Sequence, residues 1–144
     1  TLIELLVVIA IIGILSAVVL SSLNSARGKG SDSAIKSNLA NLRTEAEFFY
    51  DTNNGDYVGV CATTGTNVIG DSVDAALNAQ GRAVTARDTI AETCFAPASA
   101  AATQGWAVSV PLKTNAALFQ CVDSNGAATT TSTYTVGAGD YTCN

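Results

Sequence analysis

The sequence predicts an α+β protein: one long amino-terminal helix packed on a small antiparallel sheet. Three observations predict it. The first 23 residues, TLIELLVVIAIIGILSAVVLSSL, are an apolar run with no polar face before Ser21. A stripe at helical spacing follows, Ile35, Leu39, Leu42, Ala46 and Phe49, in steps of four, three, four and three. The back of the chain sets short β-branched runs between turn signals.

From Leu5 to Leu15 every residue is apolar or glycine. About 22 such residues make roughly 33 Å of helix, which matches a hydrocarbon core of about 30 Å. A signal peptide would open with basic residues and close on a small-residue cleavage site, and neither is present. The front of the run, Thr1 with no Met and no basic residues, reads as already processed. One carboxylate, Glu4, stands near its tip. A carboxylate costs roughly 2.5–3.5 kcal/mol at the centre of a membrane helix and less near its end. Glu4 therefore has three settings open to it: headgroup water, its own amino terminus, or the amino terminus of another copy. A Glu in the first turn also suits the helix dipole.

The helix has two weak points. Gly13 interrupts the apolar run, and ARGKGSDS, Ala26 to Ser33, carries two glycines. Ser31 or Asp32 could cap a restarted helix there. The expectation is a continuous, locally weakened helix that stops at Asn53-Asn54-Gly55, about 80 Å in length. The chain thus divides into an apolar helix over 1–23, an amphipathic continuation over 24–54 and a globular head over 55–144. The second helical part is expected to pack on a sheet through Ile35, Leu39, Leu42 and Phe49.

In the head, Asp71 to Gly81 reads as a short helix, with Asp71 as cap, Val73 and Leu77 on one face and a closing glycine. Ala83 to Phe95 is ambiguous between helix and strand, and Ala96 to Gly105 is a small-residue connection. Strands are expected at Trp106–Leu112, with Pro111 at an end or an edge, at Ala117–Ser124 and at Thr129–Val136. Asn125-Gly126 is a hairpin turn between the last two. DYTCN closes the chain, and an antiparallel sheet of three or four strands is expected to pack on the helix stripe.

Composition excludes several functions. Net charge is −5 and the seven basic residues form no stripe, so no nucleic-acid partner is evident. Arg27 and Lys29 directly follow the apolar run, where the positive-inside rule looks for the cytoplasmic flank. The four cysteines, Cys61, Cys94, Cys121 and Cys143, read as two disulfides formed in an oxidising compartment and point the other way. Four cysteines allow three connectivities. There is no His, no CxxC, no GxSxG and no P-loop, so neither catalysis nor a cofactor is expected. Asp123, Asn125 and Asp140 could meet near two turns, but Asp-Ser-Asn-Gly is first a turn sequence. Calcium takes six to eight oxygens, so no metal is expected. The Thr/Ser cluster at Thr129 to Thr133 could carry O-linked sugar, though a strand is the plainer reading.

TLIELLVVIAIIGIL resembles the amino terminus of mature type IV pilins and the related pseudopilins. The resemblance covers about the first twenty residues, and Thr-Leu-Ile-Glu-Leu is its most specific part. It implies that a prepilin peptidase removes a leader and leaves a first residue, usually N-methylated phenylalanine; Thr1 then matches the second mature residue. Glu4 matches the family's glutamate, which is implied to neutralise a neighbouring subunit's amino terminus and so set the stagger of subunits. The chain departs from the family after Gly13, where Ser21 and Ser22 stand in place of a helix-breaking proline. The resemblance implies a single-pass inner-membrane protein, handled by pilus assembly machinery, that becomes a homopolymer at the cell surface for adhesion, motility or DNA uptake. Cys61–Cys94 with Cys121–Cys143 is the expected pairing, the second bond clamping the carboxy-terminal hairpin as in many pilins. Cys61–Cys121 with Cys94–Cys143 is the runner-up. A pseudopilin of a secretion or competence system is the nearest alternative. A membrane-anchored binding module that never polymerises is the alternative from another class.

Overall fold

The computed structural model describes residues 1–62, 69–81, 94–97, 105–132 and 141–143. Helix α1 runs unbroken over Leu2–Thr52, 51 residues, or about 77 Å. It passes through Gly13, Gly28 and Gly30 without restarting, so neither Ser31 nor Asp32 acts as a cap. It stops where expected. Asn54 (φ 57°) and Gly55 (φ 74°) both turn left-handed, and the Gly55 N–H donates to the Tyr50 carbonyl at 3.0 Å. Asn and Gly are the residues that tolerate this conformation. The Asn53 side chain then donates to the carbonyls of Asp56 (3.1 Å) and Val58 (3.3 Å), turning the chain back along the helix.

Helix α2 spans Gly70–Gln80. It begins a residue ahead of the expected Asp71 cap, because the Val73 N–H already donates to the Ile69 carbonyl at 3.1 Å. Asp71 lies in the first turn instead, where a carboxylate favours the dipole. Gly81 (φ 92°) closes it in the left-handed cap that glycine adopts without strain.

Four strands form one antiparallel meander in the order β1-β2-β3-β4: Cys94–Phe95, Ala107–Pro111, Phe119–Asp123 and Ala128–Thr131. The fourth strand is therefore β1, drawn from the stretch ambiguous between helix and strand. Tyr141 to Cys143 is irregular. Pro111 ends β2, as a residue without an N–H must inside a sheet. Ala83 to Thr93 of the ambiguous stretch and the expected continuation of β4 past Ser132 lie outside the described residues.

The register sorts the sheet into two faces. Val108 pairs with Val122, and Val110 with Gln120, on one face. Val108, Val110 and Val122 pack with Trp106 against Ile35, Leu39, Leu42 and Ala46 of α1 and Val73, Ala76 and Leu77 of α2. The α1 stripe thus faces a sheet, as expected, but shares that core with α2, and Phe49 is only half-buried at its edge. Burying each large aliphatic side chain here contributes about 1.5–3 kcal/mol. The opposite face carries a small second cluster, Ala107, Cys121 and Cys143.

Candidate functional site

The candidate site is the amino-terminal half of α1 and the neck where it enters the head. Fifteen large apolar side chains between Leu2 and Leu23 are exposed. Outside this segment, Phe48 is the one large apolar side chain that the described residues leave so exposed. The best 18-residue window has a mean hydropathy of 3.0 and is 0 % buried in the chain itself. A helix this long and this apolar can cross a membrane, and its whole circumference lacks a partner among the described residues.

At the tip, the Thr1 nitrogen donates to Glu4 Oε2. Thr1 and Glu4 form a capping box, with Thr1 at the cap and Glu4 three residues in. Both groups are more than 75 % exposed, and an exposed pair of this kind contributes little to stability. Gly13 has open space around it: a Cβ there would meet nothing within 4 Å.

The neck was not anticipated from local pattern. Asp32, midway along α1, accepts the Lys113 N–H at 2.6 Å and the Thr114 N–H at 3.3 Å, and the Thr114 hydroxyl also donates to it. Gly28, one turn earlier, clears room for the same loop: a Cβ would lie 3.0 Å from Thr114 Cγ2. The β2–β3 loop is therefore fastened to the helix just beyond the apolar run. A cleft of about 670 Å³ opens beside this junction.

Two disulfides hold the head. Cys61 is bonded to Cys94 and Cys121 to Cys143. The first ties the segment after α1 to β1; the second draws the end of the chain across the outer face of β3. Asp123 organises the same region. Its Oδ1 accepts the N–H groups of Asn125 (3.0 Å) and Ala127 (2.9 Å), and its Oδ2 accepts that of Cys143 (2.8 Å). The β3–β4 connection is therefore a four-residue loop over 124–127 built on the Asp123 side chain, longer than a two-residue Asn-Gly hairpin. Arg43 of α1 reaches this loop, donating through Nε to the Asp123 carbonyl at 3.3 Å and through Nη2 to the Ala127 carbonyl. With its carboxylate committed to backbone amides, Asp123 serves the turn. Asp140 of the weighed calcium trio lies outside the described residues. Among the described residues no group of three His, Cys, Asp or Glu side chains is placed to hold a metal.

No family model, curated protein or solved structure matches this chain. Fold and site together define its class: an α+β protein in which a long helix, apolar and unpartnered at its amino-terminal end, projects from a small disulfide-bonded head. That shape is compatible with a pilin-like protein.

Proposed function

We propose that this chain is the repeating subunit of a type IV pilus. It is held by its apolar helix in the inner membrane and then polymerised into an extracellular filament for adhesion, motility or DNA uptake. It has no catalytic task in this reading. The observation that carries it is the fully exposed apolar helix of about 22 residues with one carboxylate, Glu4, in its first turn. A membrane accounts for the apolar surface alone. A bundle of copies accounts for the carboxylate as well.

The physical reason is the difference between registers. A charged group left unpaired in a low-dielectric bundle costs several kcal/mol. A stagger that places each Glu4 carboxylate against a neighbour's amino terminus avoids that penalty twice, once for each charge. The same residues that dissolve the helix in lipid then make the dry axis of the filament. Gly13, open on all sides in one copy, would be a point of close approach or local bending between copies.

A pseudopilin shares the helix, so the head must separate the two. The resemblance to major pseudopilins implies a calcium site in a comparable carboxy-terminal loop, which would need the Asp123 carboxylate for the ion; its commitment to three backbone N–H groups therefore favours the pilin. Electron microscopy of material sheared from the cell surface tests the reading. Long filaments containing this chain are expected, and Glu4→Ala is expected to insert in the membrane yet yield few of them. Filaments at parental yield from Glu4→Ala would remove the pairing argument. A chain found only as membrane-bound monomer would overturn the pilus and leave the anchored binding module.

A further inference from the structure

We infer that the neck cleft is a site for the phosphate of an anionic lipid headgroup, occupied while the chain stands in the membrane. The inference rests on the membrane-anchored stage of the proposed function and goes beyond it by assigning a ligand. The cleft lies between α1 and the β2–β3 loop, with Ser21, Asn24, Arg27, Ser31, Lys113 and Thr114 among its lining residues. Its height follows from the helix. A run of about 22 residues spans roughly 33 Å, so the next turns, Asn24 to Ser31, emerge at headgroup level.

Charge points the same way. The chain as a whole is acidic, net −5. Yet from Leu5 to Lys36 it carries three cations, Arg27, Lys29 and Lys36, and one carboxylate, Asp32. That carboxylate is turned to the Lys113 and Thr114 amides. The neck therefore presents Arg27, hydroxyls and an amide to the cleft with its own anion occupied. The Lys113 ammonium lies close to Gly81 at the end of α2, on an exposed side chain. Guanidinium and hydroxyl donors are the groups that bind phosphate oxygens. The fastening by Asp32 makes the cleft a formed feature, since helix and loop are held together without a ligand. This also answers the conflict between the basic pair and the cysteines: cations at this level meet headgroups on whichever side the head lies.

The test uses the full chain in detergent micelles, followed by backbone amide NMR. Short-chain phosphatidylglycerol, short-chain phosphatidylcholine and sodium phosphate are titrated separately. Phosphatidylglycerol is expected to shift Gly28, Ser31 and Thr114 at lower concentration than the other two. Arg27→Gln should weaken it about fivefold and Arg27→Gln with Lys113→Gln further, while Lys36→Gln, half a helical turn away around α1, leaves it unchanged. An equal response to sodium phosphate would overturn the lipid assignment in favour of a free anion. Undiminished binding by the double variant would overturn the site. Carbonate extraction of cell membranes separates this from anchoring. An inserted chain without neck shifts overturns the site alone, whereas a chain washed from the membrane overturns anchoring and the site with it.

Discussion

The Asp32 carboxylate accepts the Lys113 N–H at 2.6 Å, joining residues 81 apart in the chain. This contact turns the polar, glycine-containing stretch of α1 into a docking point for the β2–β3 loop. It lets one helix serve two surroundings, apolar ahead of the contact and globular behind it. Asp32→Ala removes an acceptor used by two N–H groups and a hydroxyl. Each such charge-assisted bond contributes about 1.5–3 kcal/mol when buried and less when partly exposed. We expect Asp32→Ala to lower the stability of the head by about 1–2 kcal/mol in urea denaturation of the full chain in detergent. Amide exchange should quicken at Lys113 and Thr114 first. Unchanged exchange at those two amides would show that the loop is held by something else.

Tyr57 supplies a pH dependence. It is buried, and its hydroxyl donates to Glu47 Oε1 at 2.7 Å. Burial first, then the bond to Glu47 and the negative field of Glu47, raise its pKa well above 10.0. In the unfolded chain the phenol loses its proton near 10; in the folded chain it keeps it. Above that pH the unfolded state binds fewer protons, so stability falls as pH rises. The contribution is complete below pH 10 and is lost progressively above it. Tyr57→Phe should flatten this alkaline decline while losing about 1 kcal/mol at neutral pH. Denaturation at a series of pH values measures both, and a decline of the same slope in Tyr57→Phe would assign it to other groups.

The disulfides should differ in an order opposite to their loop lengths. Cys61–Cys94 closes 33 residues and Cys121–Cys143 closes 22. Chain entropy alone makes each worth about 3.5 kcal/mol, with the longer loop slightly ahead. Loss of the second bond also frees the chain end whose Cys143 N–H satisfies Asp123. Leaving a buried carboxylate oxygen short of a donor adds about 1–3 kcal/mol. Cys121→Ala with Cys143→Ala should therefore destabilise the head more than Cys61→Ala with Cys94→Ala. Denaturation of the two double variants decides it, and the reverse ranking would show that the Asp123 bonds survive without the crosslink.

What the sequence made legible was whatever one element's own period or punctuation encodes. The stripe from Ile35 to Ala46 lies at zero exposure, and Asn54-Gly55 ends α1 because only those side chains tolerate consecutive left-handed residues. β2 and β3 were readable from alternation and Pro111. Contacts between distant residues were not. Arg43 stands beside Leu42 and reads as surface, yet it reaches carbonyls 80 and 84 positions on. Asp32 resembled a cap because it stands between two serines just after Gly30; its true partners belong to a loop that the chain lays down much later. β1, two residues long, has no period at all and exists through its pairing with β2. At the tip, Glu4 was legible as a first-turn carboxylate close to the amino terminus, while the capping box it forms with Thr1 came only with the structure.

Gly28 and Gly30 separate local propensity from tertiary fit. Both lie within α1 and both forgo about 1 kcal/mol of helix propensity relative to alanine. At Gly30 a Cβ meets nothing within 4 Å, so Gly30→Ala should stabilise the chain by up to about 1 kcal/mol. At Gly28 a Cβ would stand 3.0 Å from Thr114 Cγ2. Thr114 has little room to retreat, since its N–H and hydroxyl are both held by Asp32. Gly28→Ala should therefore gain nothing or lose stability. Thr114→Ser deletes the opposing methyl and keeps the hydroxyl, so in that background Gly28→Ala should recover the gain seen at Gly30. The coupling between the two sites, read from a double-mutant cycle on thermal melts of the full chain in detergent, should be favourable by about 1 kcal/mol. Simple additivity would mean that the loop does not rest on the helix at Gly28, leaving the Asp32 bonds as the fastening of the neck.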